Sequence, residues 1–142
     1  MNPARITTRT LVFHEGKLLL VQNEGADFWY PPGGGLESQD ESIAACAERE
    51  VLEETGLAVQ VKKFLWLREF ADTEKHEKNI EMYWLATLAS APKAPHDGDQ
   101  HGEVVSFAWF TEEELAQVKL FPKHLRGLTF QEIQQLSSRL LP

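Results

Sequence analysis

The chain has 142 residues, 42% apolar and 25% charged, with a formal net charge of −8. That length suits one domain able to bury roughly two thirds of its unfolded surface, and no apolar run approaches the ~18 residues of a membrane span. The acidic balance argues against a nucleic-acid backbone as partner, because phosphate tracking relies on clustered Lys and Arg.

The opening "MNPARITTRT" lacks an apolar h-region or cleavage pattern, so a cytoplasmic location is expected for a single domain over residues 1–142. Two β-rich runs follow, "TTRTLVF" and "KLLLVQ", with "HEG" between them as a hairpin turn. A polar loop leads to "FWYPPGGGL", where two prolines and three glycines predict a shaped loop without regular structure. In "SQDE", Ser38 and Glu41 have capping-box spacing, which predicts a helix over roughly 39–55 stopped by Gly56. Cys46, the only cysteine, lies in this helix within "AACA"; it excludes an internal disulfide and reads as buried packing.

Two more strands, "LAVQVKKFLWLREF" and "IEMYWLATL", are expected to pair antiparallel across "ADTEKHEKN". After the Pro- and Gly-rich stretch "SAPKAPHDGDQHG" come a strand in "EVVSFAWF" and a helix capped by Thr111 and Glu114. A last helix is expected in "TFQEIQQLSSRLL".

The first long helix breaks a local rule. Glu50 and Glu53 stand at i,i+3 and Glu50 and Glu54 at i,i+4, so three carboxylates share one face. Each such pair costs roughly 0.2 to 0.5 kcal/mol, and the nearby helix C-terminus disfavours anions further. Either water solvates the crowding or a hard divalent cation such as Mg²⁺ occupies it. The preceding "PPGGG" supplies carbonyl oxygens for a metal and N–H groups for phosphate, which favours the second reading.

From Gly35, five residues lead to Glu41, seven more to Arg49, and then come Glu50, Val51, Glu53, Glu54, Gly56 and Leu57 in fixed register. This pattern resembles the Nudix box at each of its nine constrained positions, a match expected by chance at about 10⁻⁸ in a chain this size. "RTLVFHEGKLLLV", "FWYPPGG" and "VSFAWFTEEEL" resemble further family segments, so the likeness spans most of the chain. One departure is visible: from Pro32 to Glu41 is nine positions where family members usually have eight. Gly34 and Gly35 therefore compete for one place in space, and Asp40 and Glu41 compete as the partner of Arg49.

The resemblance implies an α/β class, an α/β/α sandwich around a mixed sheet, and hydrolysis of a diphosphate linkage in a nucleoside diphosphate derivative. It implies that Glu50, Glu53 and Glu54, with a carbonyl of Gly34 or Gly35, hold one to three Mg²⁺ or Mn²⁺ ions, while Arg49, paired with Glu41, orients a metal-binding glutamate. For the general base, Glu103 leads, ahead of Asp97, Asp99 or a box glutamate. Arg9 is a candidate for phosphate contact, and Trp29 and Phe121, beside loops, for stacking on a base. The ADP-ribose hydrolases of the family commonly carry a proline some sixteen residues past the box, and its dinucleoside polyphosphate hydrolases a tyrosine; residues 72–75 are "DTEK". A nucleoside triphosphate or related small nucleotide is thus the expected substrate. The alternatives are an ADP-ribose or nucleotide-sugar pyrophosphatase and a binding module without turnover. Family members are often homodimers, and "KLFPKHL" or "LWLREF" offers apolar surface for that.

Overall fold

The computed structural model describes residues 4–89, 104–136 and 139–140. Strand β1 (Arg5–His14) and β2 (Lys17–Asn23) form the expected hairpin. Glu15 and Gly16 join them at φ 50° and 76°, the left-handed pair that a tight hairpin turn requires.

The glycine segment departs from expectation. Phe28–Trp29 form a short strand, β3, and Gly33–Gly35 form another, β4, paired antiparallel with β1 through Thr7↔Gly35, Thr8↔Gly34 and Arg9↔Gly33. Glycine here permits pairing instead of preventing it: a Cβ on Gly33 would stand 1.8 Å from the Thr8 carbonyl oxygen.

Helix α1 (Ile43–Thr55) begins later than the sequence suggested. Its N-cap is Ser42, whose hydroxyl accepts from the Ala45 N–H at 2.9 Å, so Ser38 and Glu41 form no capping box. Gly56 ends it at φ 75°, its N–H bonded to the Leu52 carbonyl at 2.8 Å. Strands β5 (Val59–Asp72) and β6 (Glu77–Leu88) pair antiparallel as expected. β7 (Val104–Thr111) runs into the short helix α2 (Glu112–Leu115), with the Thr111 and Glu114 capping box in place.

The chain then forms β8 (Lys119–Leu120), a 3-10 turn (Lys123–Gly127) and helix α3 (Phe130–Gln135). The last helix stops well short of its predicted end. Arg139–Leu140 instead form β9, parallel to Trp66–Leu67 of β5, because an open sheet edge offers backbone partners that a frayed helix end lacks.

The main sheet has the order β7-β2-β1-β6-β5-β9, with β4 also on β1; β3 and β8 make a separate parallel pair. Only β1–β6 and β5–β9 are parallel within the main sheet, which makes it mixed. One apolar layer, with Val12, Leu19, Val21, Leu57 and Phe107, packs under Val51 of α1. The opposite layer, with Leu11, Leu20, Trp66, Tyr83 and Phe110, packs under the 3-10 turn and α3 through Leu125, Phe130 and Ile133. Helices on both faces give the α/β/α sandwich. Leu65, Trp66, Leu120 and Leu125, which the sequence offered as interface residues, are buried in the chain's own core. Among the described residues no helix is long and apolar enough to cross a membrane.

Candidate active site

Helix α1 is aimed by one guanidinium. Arg49 donates from Nε to Asp40 Oδ1 at 2.7 Å and from Nη2 to Asp40 Oδ2 at 2.9 Å. Its Nη2 also donates to the Gly35 carbonyl at 3.2 Å, and Nη1 donates to Glu50 at 3.0 Å and to both oxygens of Glu53 at 3.1 Å. The Asp40 side chain is only 4% exposed and further accepts the Glu37 N–H at 2.9 Å. The Arg49 guanidinium holds the Asp40 carboxyl well below the usual carboxylate range, and Asp40 in turn holds Arg49 well above its ordinary value.

Asp40, not Glu41, is therefore the partner of Arg49. Glu41 is exposed just before the N-cap and takes no part in the pair. Gly34 and Asp40 have five residues between them, so the extra residue of this chain falls after Asp40, at Glu41.

Glu50 and Glu54 are buried, whereas Glu53 is partly exposed. Gly33 donates its N–H to Glu54 Oε2 at 3.0 Å, and Gly34 lies so close to Glu50 that a Cβ there would be 2.5 Å from its carboxylate. The three glycines divide their work. Gly33 binds Glu54, Gly34 leaves room for Glu50, and the Gly35 carbonyl is taken by Arg49 and, at 3.5 Å, by the Cys46 thiol. Burial pushes that thiol up to about 11, so Cys46 is an unreactive packing residue.

Among the described residues no three carboxylate, imidazole or thiol groups converge on one point, and Glu50 and Glu53 share Arg49 instead. The donor chemistry nevertheless fits a hard divalent cation. It is all oxygen, two of its carboxylates are buried, and glycine backbone lies against both.

Beside these carboxylates opens a cavity of about 450 Å³, within the range of small-molecule sites. Glu54, Gly33 and Gly34 form one wall. Arg5, Arg9, Arg68 and Glu81 come from the sheet, and Phe28, Tyr30 and Phe121 supply rings. Phe28 meets Phe121 edge-on at 5.1 Å, Arg9 lies over the Tyr30 ring at 5.2 Å, and the Tyr30 hydroxyl donates to Asn23.

A NUDIX domain model matches residues 3–130 of the chain. The chain belongs to the Nudix hydrolase family. It is 30% identical over 114 residues to the Escherichia coli (strain K12) protein named phosphatase NudJ, covering 79% of this chain and 71% of that one. An ADP-ribose pyrophosphatase from Streptococcus suis 89-1591 matches its fold with a TM-score of 0.68 at 23% identity, over 98% of this chain and 100% of the other. A MutT NUDIX hydrolase from Burkholderia pseudomallei matches with a TM-score of 0.70 at 19% identity, over 96% and 100%.

With this Nudix fold in view, the expected site residues sort by position. Arg49, Glu50, Glu53, Glu54, Gly34 and Gly35 come together at α1 and β4, and Arg9 and Phe121 line the cavity. Trp29 does not. It packs against Phe110 at 4.9 Å in the core, because alternation along β3 sends Phe28 and Tyr30 to the cavity and the residue between them to the opposite side. That alternation was visible in "FWY" and would have selected Phe28 and Tyr30. Leu52, within the box spacing, is half exposed. Arg5, Arg68 and Glu81 were missed because isolated charges on strands carry no local signal; only the sheet register gathers them. Glu103, Asp97 and Asp99 lie outside the described residues.

Proposed function

We propose that this Nudix hydrolase cleaves a diphosphate linkage in a small nucleotide, a nucleoside triphosphate first among them, with one to three Mg²⁺ or Mn²⁺ ions. One observation carries the reading: buried Glu54, bonded to Gly33 with buried Glu50 behind it against Gly34, borders a cavity lined also by Arg5, Arg9 and Arg68 and by the rings of Phe28, Tyr30 and Phe121.

Glu50, Glu53 and Glu54, with the carbonyl of Gly34 or Gly35, would hold the cations; the Gly34 carbonyl accepts the Thr8 hydroxyl at 3.4 Å and the Gly35 carbonyl accepts Arg49 at 3.2 Å. The bound ions would neutralise the diphosphate oxygens and lower the pKa of attacking water. Arg49 fixes the rotamers of Glu50 and Glu53 so that their oxygens need no reorganisation when charge develops. Arg9 is aimed at phosphate, while Phe28, Tyr30 and Phe121 offer ring surface to the base. The proton acceptor remains Glu103, Asp97, Asp99 or a box glutamate, as the sequence suggested.

The test is a phosphate- and pyrophosphate-release assay on a panel of nucleoside triphosphates, ADP-ribose and nucleotide sugars, with and without Mg²⁺. Metal-dependent turnover of a triphosphate, lowered more than about 100-fold in Glu54→Gln, is expected. Turnover that survives the substitution would remove the carboxylate site, and saturable binding with no turnover of any panel member would favour a binding module.

A further inference from the structure

Arginine and glutamate residues on three strands meet on the sheet face under the cavity. Parallel pairing sets Thr7 of β1 beside Glu81 of β6, and antiparallel pairing sets Arg68 of β5 on the other side of Glu81. Arg9, two residues along β1 from Thr7, points to the same face and reaches Glu81 diagonally.

Glu81 is only 5% exposed, and three side chains donate to its carboxylate. One oxygen accepts Arg68 Nη2 at 3.0 Å, Arg68 Nε at 3.3 Å and the Tyr83 hydroxyl at 2.6 Å; the other accepts Arg9 Nε at 3.4 Å. Burial alone would push this carboxyl toward its neutral form. Arg9, Tyr83 and Arg68 more than offset that and keep it charged.

As a stabilising device this is a poor investment, since a buried ion pair gains little over apolar packing. As a device for aiming arginines it makes sense. Arg9 spends Nε on Glu81 and Nη1 on the Pro31 carbonyl, and Arg68 spends Nε and Nη2 on Glu81. Arg9 also lies over the Tyr30 ring at 5.2 Å and Arg68 over the Phe70 ring at 4.8 Å; the hydrogen bonds above use neither Arg9 Nη2 nor Arg68 Nη1, and both side chains line the cavity. Arg5 lines it too, so the cavity carries three guanidiniums against the two carboxylates Glu81 and Glu54, within a chain of net charge −8.

We infer that Glu81 is a positioning residue, holding Arg9 and Arg68, with Arg5 at the rim, as a preformed seat for the phosphates of the substrate. Guanidiniums already fixed in place bind phosphate oxygens through their remaining terminal N–H groups without first losing side-chain freedom. The seat complements the carboxylates at Glu54 across the cavity: one wall suits cations, the floor suits anions. The identity of the anion rests on the hydrolase reading above, but the seat itself does not require any metal.

Calorimetric titration with inorganic tripolyphosphate in EDTA reads the seat without turnover. Saturable binding to wild type is expected, weakened roughly 10-fold or more in Glu81→Gln and in Arg68→Gln. On the best substrate with Mg²⁺, the same variants should raise KM by about the same factor and leave kcat within about 3-fold. Unchanged affinity and KM in both variants, or a fall in kcat at constant KM, would overturn the assignment. Should Glu81→Gln fail to fold, Arg68→Gln and Arg5→Gln carry the test alone, since neither leaves a buried charge without a partner. The two readings fail separately. Turnover with unaltered KM in the variants sinks the seat, whereas tripolyphosphate binding with no turnover of any nucleotide sinks the hydrolysis and leaves the seat standing.

Discussion

Asp40 and Arg49 are joined by two parallel hydrogen bonds, 2.7 Å from Nε and 2.9 Å from Nη2, and the same guanidinium reaches Glu50 and Glu53. A turn residue thereby sets the rotamers of two carboxylates on the neighbouring helix. Asp40→Asn should lower kcat at least about 10-fold and the melting temperature by about 5 °C, because a bidentate charged pair is lost. Glu41→Gln, one residue away and exposed, should change neither. Steady-state assays and thermal melts of the two variants check this; equal effects would return Glu41 to the pair.

The same bond gives a pH dependence of definite sign. Asp40 is held below its ordinary 3.8 when folded, so its contribution to stability is complete above about pH 5 and is lost as pH falls through the unfolded value toward the folded one. Urea unfolding followed from pH 6 to pH 3 should show that decline, and Asp40→Asn should flatten it.

His124 adds a second acid sensitivity at higher pH. It accepts the Trp66 indole N–H at 3.1 Å, and burial, with Arg68 nearby, pushes it down to about 4. Its folded form is neutral where the unfolded chain takes up a proton, so stability falls as pH drops from about 6.5 to about 4. Unfolding of wild type should take up close to one proton over that window, and of His124→Gln correspondingly less, measurable from the slope of unfolding free energy with pH.

The β4 glycines should differ sharply in tolerance to alanine. Gly33→Ala would drive a methyl into the Thr8 backbone at 1.8 Å and should cost several kcal/mol. Gly34→Ala meets the Glu50 carboxylate at 2.5 Å and would push it out of its place on Arg49, so activity should fall further than stability. Gly35→Ala meets only the Arg5 guanidinium at 3.1 Å and should be mild on both counts. Melting curves beside kcat values would rank the three, and a stable Gly33→Ala would refute the close strand approach.

The three consecutive aromatics at β3 separate by role. Trp29→Ala should lose about 2 kcal/mol, since its ring packs on Phe110 in the core. Tyr30→Ala should raise KM several-fold besides lowering the melting temperature, because its ring lies in the cavity under Arg9 and also packs on the Val12 and Val21 layer, whereas Trp29→Ala should leave KM near wild type. Denaturant titration together with Michaelis plots distinguishes the two.

What the chain order decided by itself is what depends on neighbours along the backbone. The shared face of Glu50, Glu53 and Glu54 follows from 3.6 residues per turn. The αL stop at Gly56, the Glu15–Gly16 hairpin and the capping box at Thr111 likewise follow from local backbone geometry, and each is where the residues placed it. The counted spacing from the glycines to Leu57 was enough to name the family.

What only the tertiary structure decided depends on which strands lie side by side. "PPGGG" read as a loop because glycine has no intrinsic strand preference, yet the closeness of Thr8 makes it one. "LSSRLL" read as helix, and the free edge of β5 drew Arg139–Leu140 into a strand. The choice of Asp40 over Glu41 turned on where one extra residue is accommodated, which counting alone leaves open. Arg5, Arg9, Arg68 and Glu81 are scattered over three strands, and register alone brings them to one cavity. Helical chemistry is written at short range and can be read there; a sheet site is assembled from long-range pairing, and its residues carry no mark of it in the sequence.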